Sequence, residues 1–163
     1  MKTPKNLKRK REGITDYRNR LALLRSGKAR FVVRPSKKGF TAQIVQYDPS
    51  GDKVICTVTE KTLAKLKIYK ESNNTPASYL IGYISGLKAQ KLGVEEAIMD
   101  IGRYKITKGG RISAALKGLV DSGIEIPHDK KIFPDNSRIG GKHLKDGIDM
   151  KAVLKEIPEK IGA

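Results

Sequence analysis

Basic side chains are concentrated at one end of the chain. Residues 1–40 hold 14 Lys and Arg but only two acidic residues, Glu12 and Asp16, within a 163-residue chain of net charge +17. Such a segment attracts polyanions, and the phosphate backbone of a nucleic acid is the natural partner. An anionic membrane is the competing partner, but it requires a broad apolar helix face or a lipid site, which the sequence does not show. We therefore predict a nucleic-acid-binding surface and no membrane partner.

Residues that could support catalysis or metal binding are few. His128 and His143 lie in loop-like sequence without the neighbouring ligands that a metal site needs. Cys56 falls on a strand predicted to be buried, which favours a core role. Asp100 ends a buried strand, and its expected partner is nearby backbone or Arg103. With no Walker or dinucleotide motif either, we expect no enzyme activity, no metal, no cofactor and no small-molecule substrate.

A second, weaker anion site is suggested before a helix in the second half of the chain. Gly109 and Gly110 precede this predicted helix, with Lys105, Lys108 and Arg111 beside them. Unpaired amides at a helix N-terminus, together with cations, can hold a phosphate. The alternative is a simple connection whose glycines only turn the chain, and the sequence leaves both open.

The N-terminal region, residues 1–28, is interpreted as a basic arm and a short helix. Residues 1–13 lack apolar residues that could offset the entropy of ordering, so they are expected to be disordered in isolation. A helix capped by Thr15 and ended by Gly27 should follow. Its apolar stripe is formed by Tyr17, Leu21 and Leu24.

Residues 29–128 are predicted to form an α/β core. Strands at 29–34, 40–47 and 53–58, joined by short turns, form an antiparallel meander. Its basic hairpin has Phe40 nearby to stack on a base, because RNA recognition pairs unstacked bases with aromatic and Arg planes. DNA is less favoured, since no helix-turn-helix, finger or zipper pattern is present.

Helices and one more strand complete the predicted core. A short helix at 61–66 precedes a long one with Pro76 at its first position and Gly93 at its end. A buried strand at 97–101 and a helix at 111–122 follow, which implies a crossover connection into the sheet. Residues 129–163 are interpreted as a C-terminal extension, with a last helix that starts at Asp149 and stops before Pro158.

Four segments carry a resemblance to a known family. TDYRNRL, SGKARFVVR, GVEEAIMDIG and IPH lie within about residues 8–128, with a weaker match in RIGGKH at 138–143. Together they resemble the archaeal and eukaryotic type of the large-subunit ribosomal protein family L-eighteen, which binds 5S ribosomal RNA. The chain has Ala29 where many relatives have proline, and Lys37-Lys38 where they often have Asn-Lys.

The resemblance implies a fold and a set of contacts. The fold is a three-layer α/β arrangement of the ribonuclease-H-like type, with a mixed sheet and without that fold's nuclease activity. The function is to bind 5S rRNA and to dock it on the large-subunit rRNA in the central protuberance of the cytoplasmic ribosome, beside other ribosomal proteins. The implied RNA-binding residues are Lys8, Arg9, Lys10, Arg11, Tyr17, Arg18, Arg20, Arg25, Ser26, Lys28, Arg30, Arg34, Ser36, Lys37, Lys38, Gln43, Arg103, Tyr104, Lys108 and Arg111. The alternatives are an RNA-processing nuclease on the same fold, which needs several converging carboxylates, and a free RNA chaperone.

Overall fold

Four strands and seven α-helices make up the part of the chain that the computed structural model describes, residues 5–37, 39–70, 72–144 and 149–161. The strands are β1 (Ala29–Pro35), β2 (Phe40–Gln46), β3 (Lys53–Thr59) and β4 (Ala97–Asp100). The helices are α1 (Lys8–Arg11), α2 (Tyr17–Leu24), α3 (Glu60–Lys65), α4 (Thr75–Lys91), α5 (Arg111–Asp121), α6 (Asn136–Ile139) and α7 (Met150–Lys160), with a 3₁₀ turn at Lys130–Ile132.

The sheet has the order β3-β2-β1-β4. The pairs β1–β2 and β2–β3 are antiparallel, whereas β4 lies parallel to β1, with Phe31 opposite Met99. The predicted meander with a crossover strand is therefore confirmed, and each of these strands lies within one residue of its predicted bounds. A parallel neighbour requires a long connection, and α3 and α4 provide it.

Helices α4 and α5 cover one face of the sheet and enclose the core. Phe31, Phe40, Ile44, Ile84 and Leu116 are all buried there. The alternation predicted for β2 is confirmed on this face, because Phe40, Ala42 and Ile44 are buried together.

The opposite face of the sheet is also covered near its centre. Arg30, Val32 and Val45 are buried on it, and Arg20 of α2 reaches the same carboxylate as Arg30. Helices on one face and the N-terminal helix toward the other are compatible with a three-layer α/β fold.

Two predicted helix starts are each wrong by one residue. Asp16, and not Thr15, caps α2, because its carboxylate accepts hydrogen bonds from the amides of Arg18 and Asn19. The Thr15 hydroxyl instead accepts a bond from Arg9 Nε at 2.9 Å. At α4 the cap is Asn74, so Pro76 occupies the second helical position.

The prediction that the last helix stops before Pro158 is wrong. Helix α7 continues through Pro158 to Lys160. Proline removes one amide donor, and its ring crowds the carbonyl four residues earlier, but Ile157 next to it is fully enclosed in the core and keeps the helix in place. Ile139 of α6 and Ile157 both belong to the core that α4 and α5 enclose.

Within the described residues, α1 is a single helical turn with no buried residue. The disorder expected for residues 1–13 stays a prediction. Over the same described ranges, no helix is both long and apolar enough to span a bilayer. No group of three or more His, Cys, Asp or Glu is placed to hold a metal ion in this part of the chain.

Candidate nucleic-acid interface

A basic groove runs between the N-terminal segment, strand β1 and the loop that joins β4 to α5. It consists of two hollows of about 460 and 430 Å³ that share Tyr104. The first hollow is lined by four cations and two carboxylates, namely Arg9, Arg20, Arg34, Arg103, Asp16 and Asp100. The second is lined by Lys37, Lys105 and Arg111. We call the two hollows together the Tyr104 groove.

Tyr104 is the aromatic side chain that the groove presents to solvent. It is 48 % exposed, whereas Phe40 is 1 % exposed and lies in the core. The prediction that Phe40 stacks on RNA is therefore wrong, because β2 directs its ring between the sheet and the helices. Tyr104 was predicted from the family resemblance alone, and an exposed ring between two arginine-lined hollows suits base stacking.

An ion-pair network connects two of the groove arginines through the interior. Arg20 and Arg30 both donate to Asp52 Oδ2, at 2.7 and 2.6 Å. Arg30 also donates to Asp100 Oδ2 at 3.0 Å, and Arg34 donates to Asp100 Oδ1 at 2.9 Å. We call these five residues the arginine–aspartate network.

The network has an asymmetric exposure. The side chain of Arg30 is only 3 % exposed, whereas those of Arg20 and Arg34 are 40 % and 41 % exposed. Arg30 is therefore not placed as the sequence predicted, since its guanidinium faces two carboxylates and not a surface. A buried guanidinium requires such partners, because an unpaired charge in the interior is very costly.

Both carboxylates of the network are held in the charged form. Burial alone would raise the pKa of Asp100, but the hydrogen bonds and charges of Arg34 and Arg30 and the Gly102 amide outweigh it and lower that pKa. The same balance holds for Asp52, whose pKa is lowered by Arg30 and Arg20 against the effect of burial. Of the two partners predicted for Asp100, nearby backbone is confirmed, because the Gly102 amide donates to its Oδ1. Arg103 is wrong, since the charged partners are Arg30 and Arg34 of β1.

Arg103 contacts the N-terminal segment instead. A side-chain carbon placed on Gly13 would lie 2.5 Å from Nη1 of Arg103, so the guanidinium rests against the glycine backbone. Gly13 also has a φ of +64°, which favours glycine. The groove therefore forms because the chain between α1 and α2 lies over the β4–α5 loop.

Asn73 connects the basic hairpin to helix α5, a contact that no pattern in the sequence predicts. Its amide donates to the carbonyl oxygens of Ser36 and Lys37 at 2.9 and 3.1 Å. Its own oxygen accepts a hydrogen bond from Arg111. Asparagine before a helix is typical of an N-cap, and that role belongs to Asn74. Nothing in the local pattern distinguishes the two.

The structure brings part of the predicted set together. Eight of the implied residues line the Tyr104 groove, namely Arg9, Arg20, Arg34, Ser36, Lys37, Arg103, Tyr104 and Arg111. Eleven others do not line it, namely Lys8, Lys10, Arg11, Tyr17, Arg18, Arg25, Ser26, Lys28, Arg30, Gln43 and Lys108. Lys38 lies outside the described residues.

Some of the residues away from the groove have partners within the protein. Lys28 pairs with Glu96 at 2.5 Å, and the hydrogen bond and charge of Glu96 raise the pKa of Lys28. Gln43 donates to the Thr57 hydroxyl. Arg18 and Arg25 are exposed on and just after α2, where they extend the basic surface.

The glycine-backed start of α5 lies at the edge of the second hollow. Gly110 is its N-cap, and no side chain caps the helix. The Ser113 hydroxyl donates to the Thr107 and Gly110 carbonyls, which closes the turn. The Arg111 guanidinium donates a hydrogen bond to Asn73. The side chain of Lys108, the other predicted cation, is exposed. Whether this turn binds a phosphate or only connects β4 to α5 stays a matter of prediction.

The fold and the groove define a basic α/β protein of the kind that binds polyanions. The family described as "Ribosomal large subunit proteins 60S L5, and 50S L18" matches residues 3–96. A "Large ribosomal subunit protein uL18" from Thermoplasma acidophilum is 51% identical over 148 residues, 91% of each chain. Proteins of the same name are 49% identical in Picrophilus torridus, over 99% of each chain, and 47% identical in Korarchaeum cryptofilum, over 84% of this chain and 70% of the relative. The chain belongs to the uL18 family of large ribosomal subunit proteins, which confirms the resemblance.

Proposed function

We propose that this chain binds 5S rRNA and helps attach it to the large-subunit rRNA in the central protuberance. Membership of the family supports a structural role in the large ribosomal subunit, since the relatives are proteins of that subunit. The chain is accordingly a structural constituent of the cytoplasmic ribosome and not an enzyme. Its partners in the proposal are 5S rRNA, large-subunit rRNA and neighbouring ribosomal proteins.

The observation that carries the proposal is the convergence of cations around Tyr104. Several separate parts of the chain contribute to the groove, namely the arm, α2, β1, the β1–β2 turn, the end of β4, the β4–α5 loop and the start of α5. Arginines can bind phosphates bidentately, and an exposed tyrosine between them can stack on an unpaired base. A groove of this kind suits single-stranded or looped segments of a folded RNA.

The exposed cations outside the groove would supply further phosphate contacts. The arm residues Lys8, Lys10 and Arg11 and the helix residues Arg18 and Arg25 are all exposed. Such contacts strengthen binding without reading the sequence of the RNA. We therefore assign recognition to the groove, and salt-dependent affinity to the exposed cations of the arm and α2 that lie outside it.

Replacement of Tyr104 tests the proposal with a matched control. Tyr104→Ala should weaken binding of 5S rRNA by roughly tenfold, because stacking on one aromatic contributes about 1–3 kcal/mol. Tyr47 is equally exposed, at 48 %, and does not line the groove. Tyr47→Ala should therefore leave the affinity unchanged, whereas Tyr104→Phe should retain most of it.

The same titrations separate the alternatives. The reference ligand is an unrelated structured RNA of equal length, measured at the same salt concentrations, because affinity without a stated salt concentration has no meaning. Equal affinity for both RNAs would contradict 5S recognition and favour a general RNA chaperone. Equal effects of the Tyr104 and Tyr47 substitutions would contradict the assignment of the groove.

A further inference from the structure

The arginine–aspartate network places two carboxylates directly behind the cations of the Tyr104 groove. Asp52 and Asp100 each contact two guanidiniums, and Arg30 lies between them. The two outer members, Arg20 and Arg34, line the first hollow, and Asp100 also reaches its wall with a side chain that is only 8 % exposed. The inner members are Arg30, which is buried, and the two carboxylates, which are 25 % and 8 % exposed.

The contacts fix the outer arginines in one direction. Arg34 donates to Asp100 Oδ1 at 2.9 Å, to the Asp100 carbonyl at 2.8 Å and to the Val33 carbonyl at 2.8 Å. The Gly102 amide holds the same Oδ1 at 2.9 Å. Arg20 donates to Asp52 in the β2–β3 turn, which also ties helix α2 to the sheet. An arginine ordered before binding loses less side-chain entropy when a phosphate arrives.

We propose that Asp52 and Asp100 are positioning residues for RNA, which hold Arg20 and Arg34 in the groove without contacting the RNA themselves. This inference rests on the proposed function and specifies how its site is built. The proposal predicts a change in RNA affinity in the direction opposite to that expected from net charge alone. Removal of a negative charge from a protein that binds a polyanion ordinarily tightens binding. Here it should weaken binding, because the released guanidinium no longer points at the ligand.

The test uses neutral, isosteric substitutions in the full chain. Asp52→Asn and Asp100→Asn each raise the net charge by one but lose the charged acceptor. Each should weaken 5S rRNA affinity roughly tenfold, the scale of one hydrogen bond to a charged group. Asp135→Asn is the matched control, since it makes the same charge change at an exposed N-cap whose side chain makes no capping bond. Its affinity should equal that of the wild type or be slightly tighter.

A double-mutant cycle separates positioning from a general loss of structure. If Asp52 acts through Arg20, Asp52→Asn should change affinity by less than twofold in an Arg20→Ala background, because the group it positions is already gone. A merely structural role would produce the same loss in both backgrounds. Circular dichroism melting defines a temperature at which every variant is folded, and the titrations are made there.

The outcomes distinguish this inference from the function on which it rests. If the wild type does not prefer 5S rRNA to the reference RNA, the proposed function and the positioning role are both overturned. If the wild type prefers 5S rRNA but Asp52→Asn binds as tightly as Asp135→Asn, the positioning role is overturned and the function stands. An equal loss in the Arg20→Ala background overturns it as well. Should Asp100→Asn fail to fold, Asp52 at the more exposed end of the network decides the matter.

Discussion

Arg30 and Arg34 lie four residues apart on the same strand, but their side chains differ in burial and therefore in what they contact. The side chain of Arg34 is 41 % exposed and lines the groove, whereas that of Arg30 is 3 % exposed and meets two carboxylates. Nε of Arg30 has no hydrogen-bond partner, so its ion pairs must offset the desolvation of the whole guanidinium. The Coulomb attraction of buried ion pairs is thus largely offset by the cost of removing the charges from water.

The lowered pKa values of Asp52 and Asp100 predict a contribution to stability that disappears in acid. An unfolded Asp titrates near about 3.9, and a lower pKa in the folded state stabilises the fold above that pH. The stabilisation is lost as the pH falls through the folded pKa. In urea unfolding from pH 7 to pH 2.5, the stability difference between wild type and Asp52→Asn should be constant down to about pH 5 and shrink below it.

Asp135→Asn is the control for this experiment, because its carboxylate makes no capping bond. This variant makes the same change in net charge as Asp52→Asn and is measured over the same pH range. A stability curve for Asp52→Asn parallel to that of the wild type would contradict the lowered pKa of Asp52.

At the scale of elements, α4 and α5 pack with their backbones in close approach. A side-chain carbon on Gly118 would lie 2.1 Å from the Tyr79 carbonyl oxygen, and one on Gly82 would lie 2.0 Å from the Ala115 carbonyl oxygen. Backbone atoms cannot move aside as a flexible side chain can. These two glycines therefore set the distance between the helices that cover the core.

Gly118→Ala should destabilise the protein, although the same change in an exposed helix stabilises it. Helix propensity favours alanine by about 1 kcal/mol, but the backbone clash should outweigh this and leave a net loss of about 1–3 kcal/mol. Chemical denaturation measures the difference in the free energy of unfolding. A gain in stability would mean that the helices are farther apart than the structure shows.

The N-terminal arm is an element whose removal should affect binding and not folding. Deletion of residues 1–13 removes six cations, namely Lys2, Lys5, Lys8, Arg9, Lys10 and Arg11. If half of them contact phosphates, the slope of log affinity against log salt should flatten by about 2 to 3 units. The melting temperature should change little, since α1 buries no residue.

Titration of 5S rRNA at four or more salt concentrations checks the arm, with Lys155→Ala as a control for loss of a remote charge. Lys155 lies exposed on α7, outside the groove. An unchanged slope after deletion would contradict the assignment of phosphate contacts to the arm. So would a large fall in melting temperature.

At the scale of the whole molecule, the C-terminal segment closes the core. Ile157 is fully buried, and Lys160 Nζ donates to the Lys67 carbonyl across 93 residues of sequence. Lys67 is the one non-glycine residue with positive φ among the described residues, at +52°. Helix α7 therefore stabilises the segment after α3 as well as its own position.

Truncation of Ile157 should reveal this contribution. Ile157→Ala should lower the free energy of unfolding by about 2–5 kcal/mol, as for other buried aliphatic residues. Lys155→Ala, two residues earlier on the exposed face of α7, should change it little. RNA affinity measured below the melting temperature should be unaltered by either, since α7 does not line the groove. A small effect of Ile157→Ala would show that residues 129–161 are only loosely attached.

The sequence by itself determined the charge distribution, the order of the four strands and of five of the seven helices in the described residues, the mixed sheet and the family. These follow from local rules, because hydrophobic periodicity, turn residues and caps act over a few residues. Even here a local rule failed where packing opposed it. Pro158 does not end α7, although proline disfavours a helix, because Ile157 beside it is fully buried in the core.

Only the tertiary structure decided which cations face a ligand and which face the protein. Arg30 meets Asp52 and Asp100 across 22 and 70 residues, and Arg20 meets Asp52 across 32. Whether a guanidinium is buried depends on which carboxylates the folded chain brings within about 3 Å, and no local pattern encodes that distance. For the same reason Phe40 entered the core, and Tyr104 became the ring exposed in the groove.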